Sequence, residues 1–397
     1  MISALLLLLG TLVVGGYDYR YRATLLKRER NRWLGRWVAG LFVLVAGWEW
    51  FYAYRVGEEA AWARGCLAFL GAGAAFFAKD ARLGKRGAIF YGKLVTSFLG
   101  FSVALTLTWF GKYPWILFLG WELGWFWLIR LIGFHHKISE NRFFRKVMHA
   151  LGFLTTLCLG LGLYGIVTGW HQKFAIFCFL IGWGFRLGIV PFYFWGFRAV
   201  SISPVGIVLT SMAFFAQAFL GGTVLRDYMI PIQFDESMAD LWIALRQGLL
   251  FLSGINLVAA TILLFWQRSF RQWLFFLYLF ECGWFLFLVS QQQWGNAVFY
   301  CFLLAVMNLG LWGGVLKVGQ QNEGSDAIIH FVGLVDRNKI LGMGLCLLLT
   351  VFVSLVAAQS FIFLFGTRWQ QAVAVIALFG LAAIFQMLKK IVGQSST

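Results

Sequence analysis

Residues 184–195 read GFRLGIVPFYFW. A permanent cation, Arg186, stands in an otherwise apolar stretch, five residues before Pro191, one of only 4 prolines in 397 residues. Proline inside a helix removes a backbone hydrogen bond and leaves the carbonyl about four residues earlier free. Broken helices at bilayer depth are tolerated where they line a hydrated cavity or pack inside protein. Arg186 and Pro191 together therefore predict a broken helix beside a polar passage. A simple proline kink with a snorkelling arginine is the weaker reading, because Arg186 is too central in its run to reach either interface.

Around this stretch the chain is 61% hydrophobic and 12% charged, with a mean hydropathy of +0.78. Soluble domains carry about a quarter charged residues, so half the expected charge is missing. Apolar runs near the bilayer-spanning length of about 20 residues recur from end to end, without the alternation of a transmembrane barrel. The class is an all-α polytopic membrane protein. About thirteen transmembrane helices are predicted. They lie near 2–17, 37–55, 61–79, 88–110, 113–133, 145–168, 174–195, 203–225, 240–265, 270–291, 293–316, 340–365 and 369–392.

The charges support that count. Basic residues gather after odd-numbered spans: 20–36, 79–86, 135–146, Arg198, Arg268 and Arg271, Lys317 to Lys339, and Lys389 with Lys390. The loop at 226–240 is net acidic. Positive-inside bias then puts the N-terminus on the positive side of the membrane and the C-terminus on the negative side. The same bias accounts for the net charge of +17 without nucleic acid. The first run lacks the basic flank of a cleavable signal and reads as the first span. No GxxxxGK[ST] motif occurs, and the loops are too short for a nucleotide-binding module. The 6 cysteines are scattered singly, without CxxC or Cys/His ligand spacing. No metal site is expected, and any redox cofactor belongs to another chain. Heavy use of Phe, Trp and Gly with few Pro and His matches codons rich in T and G, a skew that suggests a mitochondrial genome.

Ionisable groups at bilayer depth are costly and are functional candidates by default. Glu122, near the middle of the fifth span, is read as functional over a role as a buried counter-charge. Arg186 is its basic counterpart in the seventh span. Glu281, central in the tenth, is evenly balanced between function and helix-packing glue. Gln217 and Asn308 are neutral residues of the kind that make interhelical hydrogen bonds. Glu49 and His171 read as solvated-rim positions.

These residues resemble a known family. GFRLGIVPFYFW followed by SPVGIVLTSM (203–212) resembles the broken seventh helix and the start of the eighth in the antiporter-like subunits of complex I, NADH:ubiquinone oxidoreductase. That family reads roughly GxxFKxxxxPFHxWxPDVYxGAPxPV there. LGWEL (119–123) looks like the family's fifth-helix glutamate motif, and RSFRQWLFFLYLFECGW (268–284) resembles NxKRLLAYSSIxHxGY. FYCFLLAVMNLGLW (299–312) is similar to YYLLxYxLMNLGAF, the motif that separates subunit 2, or bacterial subunit N, from its paralogues. The resemblance runs from about 115 to 392.

The resemblance implies an antiporter-like fold of two inverted repeats: N-terminal helices at 1–112, a first half at 113–225 and a second at 226–397. It implies a membrane-arm subunit taking part in proton translocation coupled to NADH:ubiquinone electron transfer, with no catalytic redox site of its own. Glu122 would be the channel carboxylate and Arg186 would occupy the seventh-helix lysine position, with Gln217 and Glu281 further along the proton path and Pro191 at the broken helix. Partners would be the neighbouring antiporter-like subunit, the small four-helix-type subunit and lipids. FMN, iron–sulfur clusters and quinone would sit in partner subunits. The membrane would be the mitochondrial inner membrane, or alternatively a bacterial plasma membrane.

The departures are specific. The family's eighth-helix lysine falls at Phe214 and its twelfth-helix lysine at Thr367; Gln359 and Ser360 replace two prolines of a second broken helix. The PDVYxGAP loop is shortened, and only thirteen spans are expected where the family has fourteen. Arginine keeps its proton in essentially any environment and cannot relay one as a desolvated lysine can. Two roles therefore stand open, a modified proton path and a non-pumping structural spacer. A freestanding cation/proton antiporter is a third and weaker reading.

Overall fold

Twelve of the thirteen apolar runs are helical in the computed structural model, which describes residues 27–78, 87–110, 114–132, 138–202, 206–229, 239–321, 327–364 and 366–393. The first run, 2–17, lies outside the described residues. Helix α1 spans Lys27–Val56, α2 Glu59–Ala78, α3 Gly87–Phe110, α4 Pro114–Ile132, α5 Ile138–Thr168, and the broken seventh run forms α6 (Gln172–Leu187) and α7 (Phe194–Ile202). Beyond it lie α8 (Gly206–Val224), α9 (Ala239–Phe265), α10 (Phe270–Ser290), α11 (Trp294–Gln321), α12 (Lys339–Phe363) and α13 (Arg368–Val392). The described residues hold no β-sheet, only one bridge between Ser269 and Ala327.

Helices α1 and α5 begin ten and seven residues before the apolar runs do, inside KRERN and ISENRFFRK. Lys, Arg and Glu are good helix formers, so the backbone winds before the hydrophobic stretch begins. Nine described helices are long and apolar enough to cross a membrane. The broken run is absent from that set because α6 has 16 residues, about 24 Å at 1.5 Å per residue, short of a bilayer core of about 30 Å. By contrast α12 runs unbroken for 25 residues. Its Gln359 and Ser360 retain the backbone N–H groups that proline lacks.

Two compact units make up the chain. The first contains the described residues of Met1–Leu187 and Ile202–Ala239; the second contains Gly188–Ser201 and Asp240–Thr397. In the first unit, α8 is buried from Val208 to its end at the centre. Helices α3 and α4 approach backbone to backbone: a Cβ added at Gly100 would lie 2.5 Å from the Gly124 nitrogen. GWELG (120–124) is a GxxxG stripe, the pattern that lets membrane helices meet this closely. It fixes the axial position of α4 and with it Glu122.

In the second unit α10 is the buried centre. Ser269 caps its start by accepting from the Gln272 N–H. Thr367 opens α13 in a capping box with Gln370, the reciprocal arrangement that satisfies two orphan donors. Apolar side chains left exposed, such as Leu44 and Phe153 on the first unit and Leu347 and Phe379 on the second, need no burial in protein where hydrocarbon is the solvent.

Candidate functional site

Arg186 is fully buried at the end of α6, one residue before that helix stops. Its Nη2 donates to both Glu122 carboxylate oxygens, at 2.8 and 2.7 Å. The third member is Thr156 on α5. Its hydroxyl lies 2.8 Å from Arg186 Nη2 and 2.7 Å from Glu122 Oε2. A guanidinium can only donate, so Thr156 accepts from Arg186 and its own hydrogen is directed to Glu122. That hydrogen needs an acceptor, and the geometry is satisfied when Glu122 is the anion. The Glu122 side chain keeps 19% of its surface exposed while that of Arg186 keeps none.

Local sequence explains the convergence. A Cβ added at Gly182, one turn before Arg186, would lie 3.0 Å from the Thr155 carbonyl oxygen, so α6 rides directly on α5 beside Thr156. The Trp125 ring lies under the guanidinium at 4.5 Å, a cation–π contact that holds a delocalised cation better than a compact ammonium. Only Nη2 is bonded. Arg186 Nε and Nη1 are buried with no acceptor among the described residues.

The chain then leaves helical geometry. Gly188 takes a left-handed φ of 69° and α7 begins at Phe194. In the second unit the break is braced by Asn256 on α9, whose Oδ1 accepts the Val190 N–H at 2.9 Å while its Nδ2 donates to the Leu252 carbonyl. Backbone groups freed at membrane depth need such partners. Pro191 lies inside this break, as the sequence predicts.

Gln217, fully buried on α8, is fixed by two tryptophans. Its side-chain oxygen accepts from Trp121 Nε1 and its main-chain oxygen from Trp183 Nε1 at 2.8 Å. Trp121 precedes Glu122 and Trp183 lies one turn before Arg186, so Gln217 belongs to the same assembly without bonding to either charge. Phe214, which the resemblance sets at an eighth-helix lysine position, is buried. Thr367, which the resemblance sets at a twelfth-helix lysine position, is spent on the α13 cap. Glu281 belongs to the second unit. It is buried on α10, with Asn308 Nδ2 donating to its Oε2 at 2.8 Å.

The sequence places Glu49 at a solvated rim, and the structure differs. Glu49 is not a rim residue but 3% exposed. Arg64 on α2 donates to it through Nε at 3.0 Å, and through Nη1 to Glu58 at 3.1 Å and Thr106 at 3.0 Å. This network ties α1, α2 and α3 together. Nothing in the local sequence reveals it, since the partners are separated by 15, 6 and 42 residues. His171 is exposed, as expected of a connection. Among the described residues no group of three or more His, Cys, Asp and Glu could hold a metal.

A chain of the membrane-bound sulfane sulfur reductase, an archaeal respiratory membrane complex, superposes with a TM-score of 0.77 at 14% identity, over 100% of this chain and 89% of that one. A chain of respiratory complex I from Thermus thermophilus gives 0.71 at 13%, covering 100% and 91%. A chain of the Mrp complex from Dietzia gives 0.62 at 11%, covering 100% and 81%. The fold is antiporter-like. No protein-family model matches the chain. NADH-quinone oxidoreductase subunit N of Desulfitobacterium hafniense is 24% identical over 180 residues, 41% of this chain and 35% of that protein. Chloroplastic NAD(P)H-quinone oxidoreductase subunit 2 of Zygnema circumcarinatum is 30% identical over 182 residues, 44% and 34%. Its counterpart in Chara vulgaris is 24% identical over 215 residues, 52% and 42%. The matched part spans less than half the length of these relatives, so this antiporter-like chain is their divergent relative in sequence.

Proposed function

We propose that this chain is a membrane-arm subunit of a complex I-type NADH:quinone oxidoreductase and takes part in proton translocation coupled to electron transfer. The observation that carries the reading is the Glu122–Arg186–Thr156 triad at a helix break, on an antiporter-like fold. In this reading Glu122 takes up and releases protons as Arg186 approaches and withdraws. Arg186 modulates without relaying, because it does not give up its own proton. Gln217 and Glu281 lie along the path, and Pro191 keeps the break open to water. The chain itself carries out no redox step. FMN, iron–sulfur clusters and quinone belong to partner subunits, and the immediate neighbours are another antiporter-like subunit and a small four-helix-type subunit. The residue bias toward T- and G-rich codons favours the mitochondrial inner membrane, while the matched relatives include bacterial and chloroplastic proteins.

A second reading, a non-pumping spacer of the membrane arm, is favoured by the unbroken α12 and by untitratable residues at Phe214 and Thr367. The purified complex reconstituted into vesicles separates the two. With Glu122→Gln and Arg186→Met together, which strands no charge, translocation predicts fewer protons moved per two electrons at normal assembly. An unchanged ratio would leave the spacer.

A further inference from the structure

Glu281 and Asn308 leave a particular pair of atoms without protein partners. Asn308 Nδ2 donates to Glu281 Oε2 at 2.8 Å, while Glu281 Oε1 and Asn308 Oδ1 are both buried and unbonded. Both orphans are oxygens on the same two side chains. A carboxylate could not satisfy either one, because neither it nor an amide oxygen can donate. A single proton on Oε1 would supply a donor for the amide oxygen and would close a two-bond ring between acid and amide.

The surroundings agree. The titratable neighbours of the carboxyl are Tyr278 and Cys282 on its own helix and Tyr300 and Cys301 on α11, all neutral groups in their usual state. The cation nearest along α10 is Arg271, ten residues away or about 15 Å at 1.5 Å per residue, and it stacks over the Trp312 ring at 5.3 Å. On α11, Lys317 is nine residues from Asn308, about 13 Å. Helix α12 brings Gln359, which accepts from Trp284 Nε1 at 2.7 Å, and α13 brings Gly380 against Phe280. Neither contact carries charge. No salt bridge is formed by Glu281 among the described residues, and an isolated anion so buried is strongly disfavoured.

We propose that Glu281 holds a proton at rest and pairs with Asn308 as a neutral acid–amide dimer, making it a proton-binding site opposite in charge state to Glu122. Asn308 Nδ2 donates to Oε2, and the carboxyl proton on Oε1 donates to Asn308 Oδ1. Release of that proton requires the Asn308 contact to open. Its use in translocation rests on the function proposed above; the protonation itself does not.

Infrared difference spectroscopy in H2O and D2O, on the full chain in its purified membrane complex, tests this directly. Glu281→Gln keeps the shape and can form the same two-bond ring, and it should abolish one carboxylic-acid C=O band. Asn308→Leu should retain that band and shift it to higher frequency, as for an acid that has lost its hydrogen-bond acceptor. If Glu281→Gln instead removes a carboxylate band, or Asn308→Leu leaves the acid region unchanged, Glu281 is ionised and the proposal fails. Should Glu281→Gln not assemble, the Asn308→Leu shift decides alone. A complex that fails to pump would refute translocation without touching either band.

Discussion

Removing one charge of the Glu122–Arg186 pair should cost far more than removing both. Arg186 has no exposed surface and only Glu122 as counter-charge among the described residues. Glu122→Gln leaves that guanidinium buried and uncompensated, a change that costs about 3–5 kcal/mol. Arg186→Met keeps an apolar stem over Trp125 and strands the carboxylate. The loss is smaller there, because 19% of the Glu122 side chain stays exposed and the Thr156 bond remains, a contact to a charged group worth about 1.5–3 kcal/mol. The double variant buries no charge, and its glutamine still meets the Thr156 hydroxyl. It should fall within about 1–2 kcal/mol of the parent, as replaced buried ion pairs often do. The coupling energy is then at least about 3 kcal/mol, a factor of roughly a hundred or more in the unfolding equilibrium. Denaturant titration of the four chains in bicelles measures it. If the two single losses simply add, the residues do not act as a pair and the site has been misread. The double variant also separates architecture from chemistry: it should assemble normally yet move fewer protons per electron pair.

Three further outcomes follow from individual contacts. Thr156→Val removes the hydroxyl shared by both charges and should cost about 1.5–3 kcal/mol, with Thr156→Ser close to the parent; a loss in Thr156→Ser with none in Thr156→Val would mean that methyl packing matters and not the hydroxyl. Gly100→Ala drives a Cβ to within 2.5 Å of the Gly124 backbone and should destabilise by about 3 kcal/mol, the upper part of the overpacking range. Gly92→Ala, with nothing within 4 Å, is its control on the same helix and should be neutral or slightly stabilising. Arg64→Met leaves Glu49 and Glu58 buried without their cation and should cost about 3–5 kcal/mol in the same titration; a loss under about 1 kcal/mol would show the network to be dispensable.

The large-scale plan was legible because membrane helices obey length and hydropathy. The break was legible too, since Pro191 cannot donate a backbone hydrogen bond and a buried arginine demands a carboxylate. Glu122 was the candidate at comparable depth, and the two meet. Continuity of α12 could be read from Gln359 and Ser360 in place of prolines. Other features were hidden for physical reasons. Thr156 and Asn256 sit in helices whose pattern records only apolar against polar, and a single hydroxyl or amide carries no spacing that names its partner. The Arg64 network joins three helices, and its parts look unremarkable apart; Glu49 near a helix end resembles any interfacial acid. One missed signal was within reach: GWELG at 120–124 brackets Glu122 with the small residues that allow close helix packing.

A high-resolution density map of the assembled membrane complex would address the central claim most directly. It should show α6 ending by Leu187, with the Arg186 guanidinium within about 3 Å of Glu122 and Thr156 bonded to both. A helix continuous through Pro191, or the two charged side chains on opposite faces of the first unit, would contradict it.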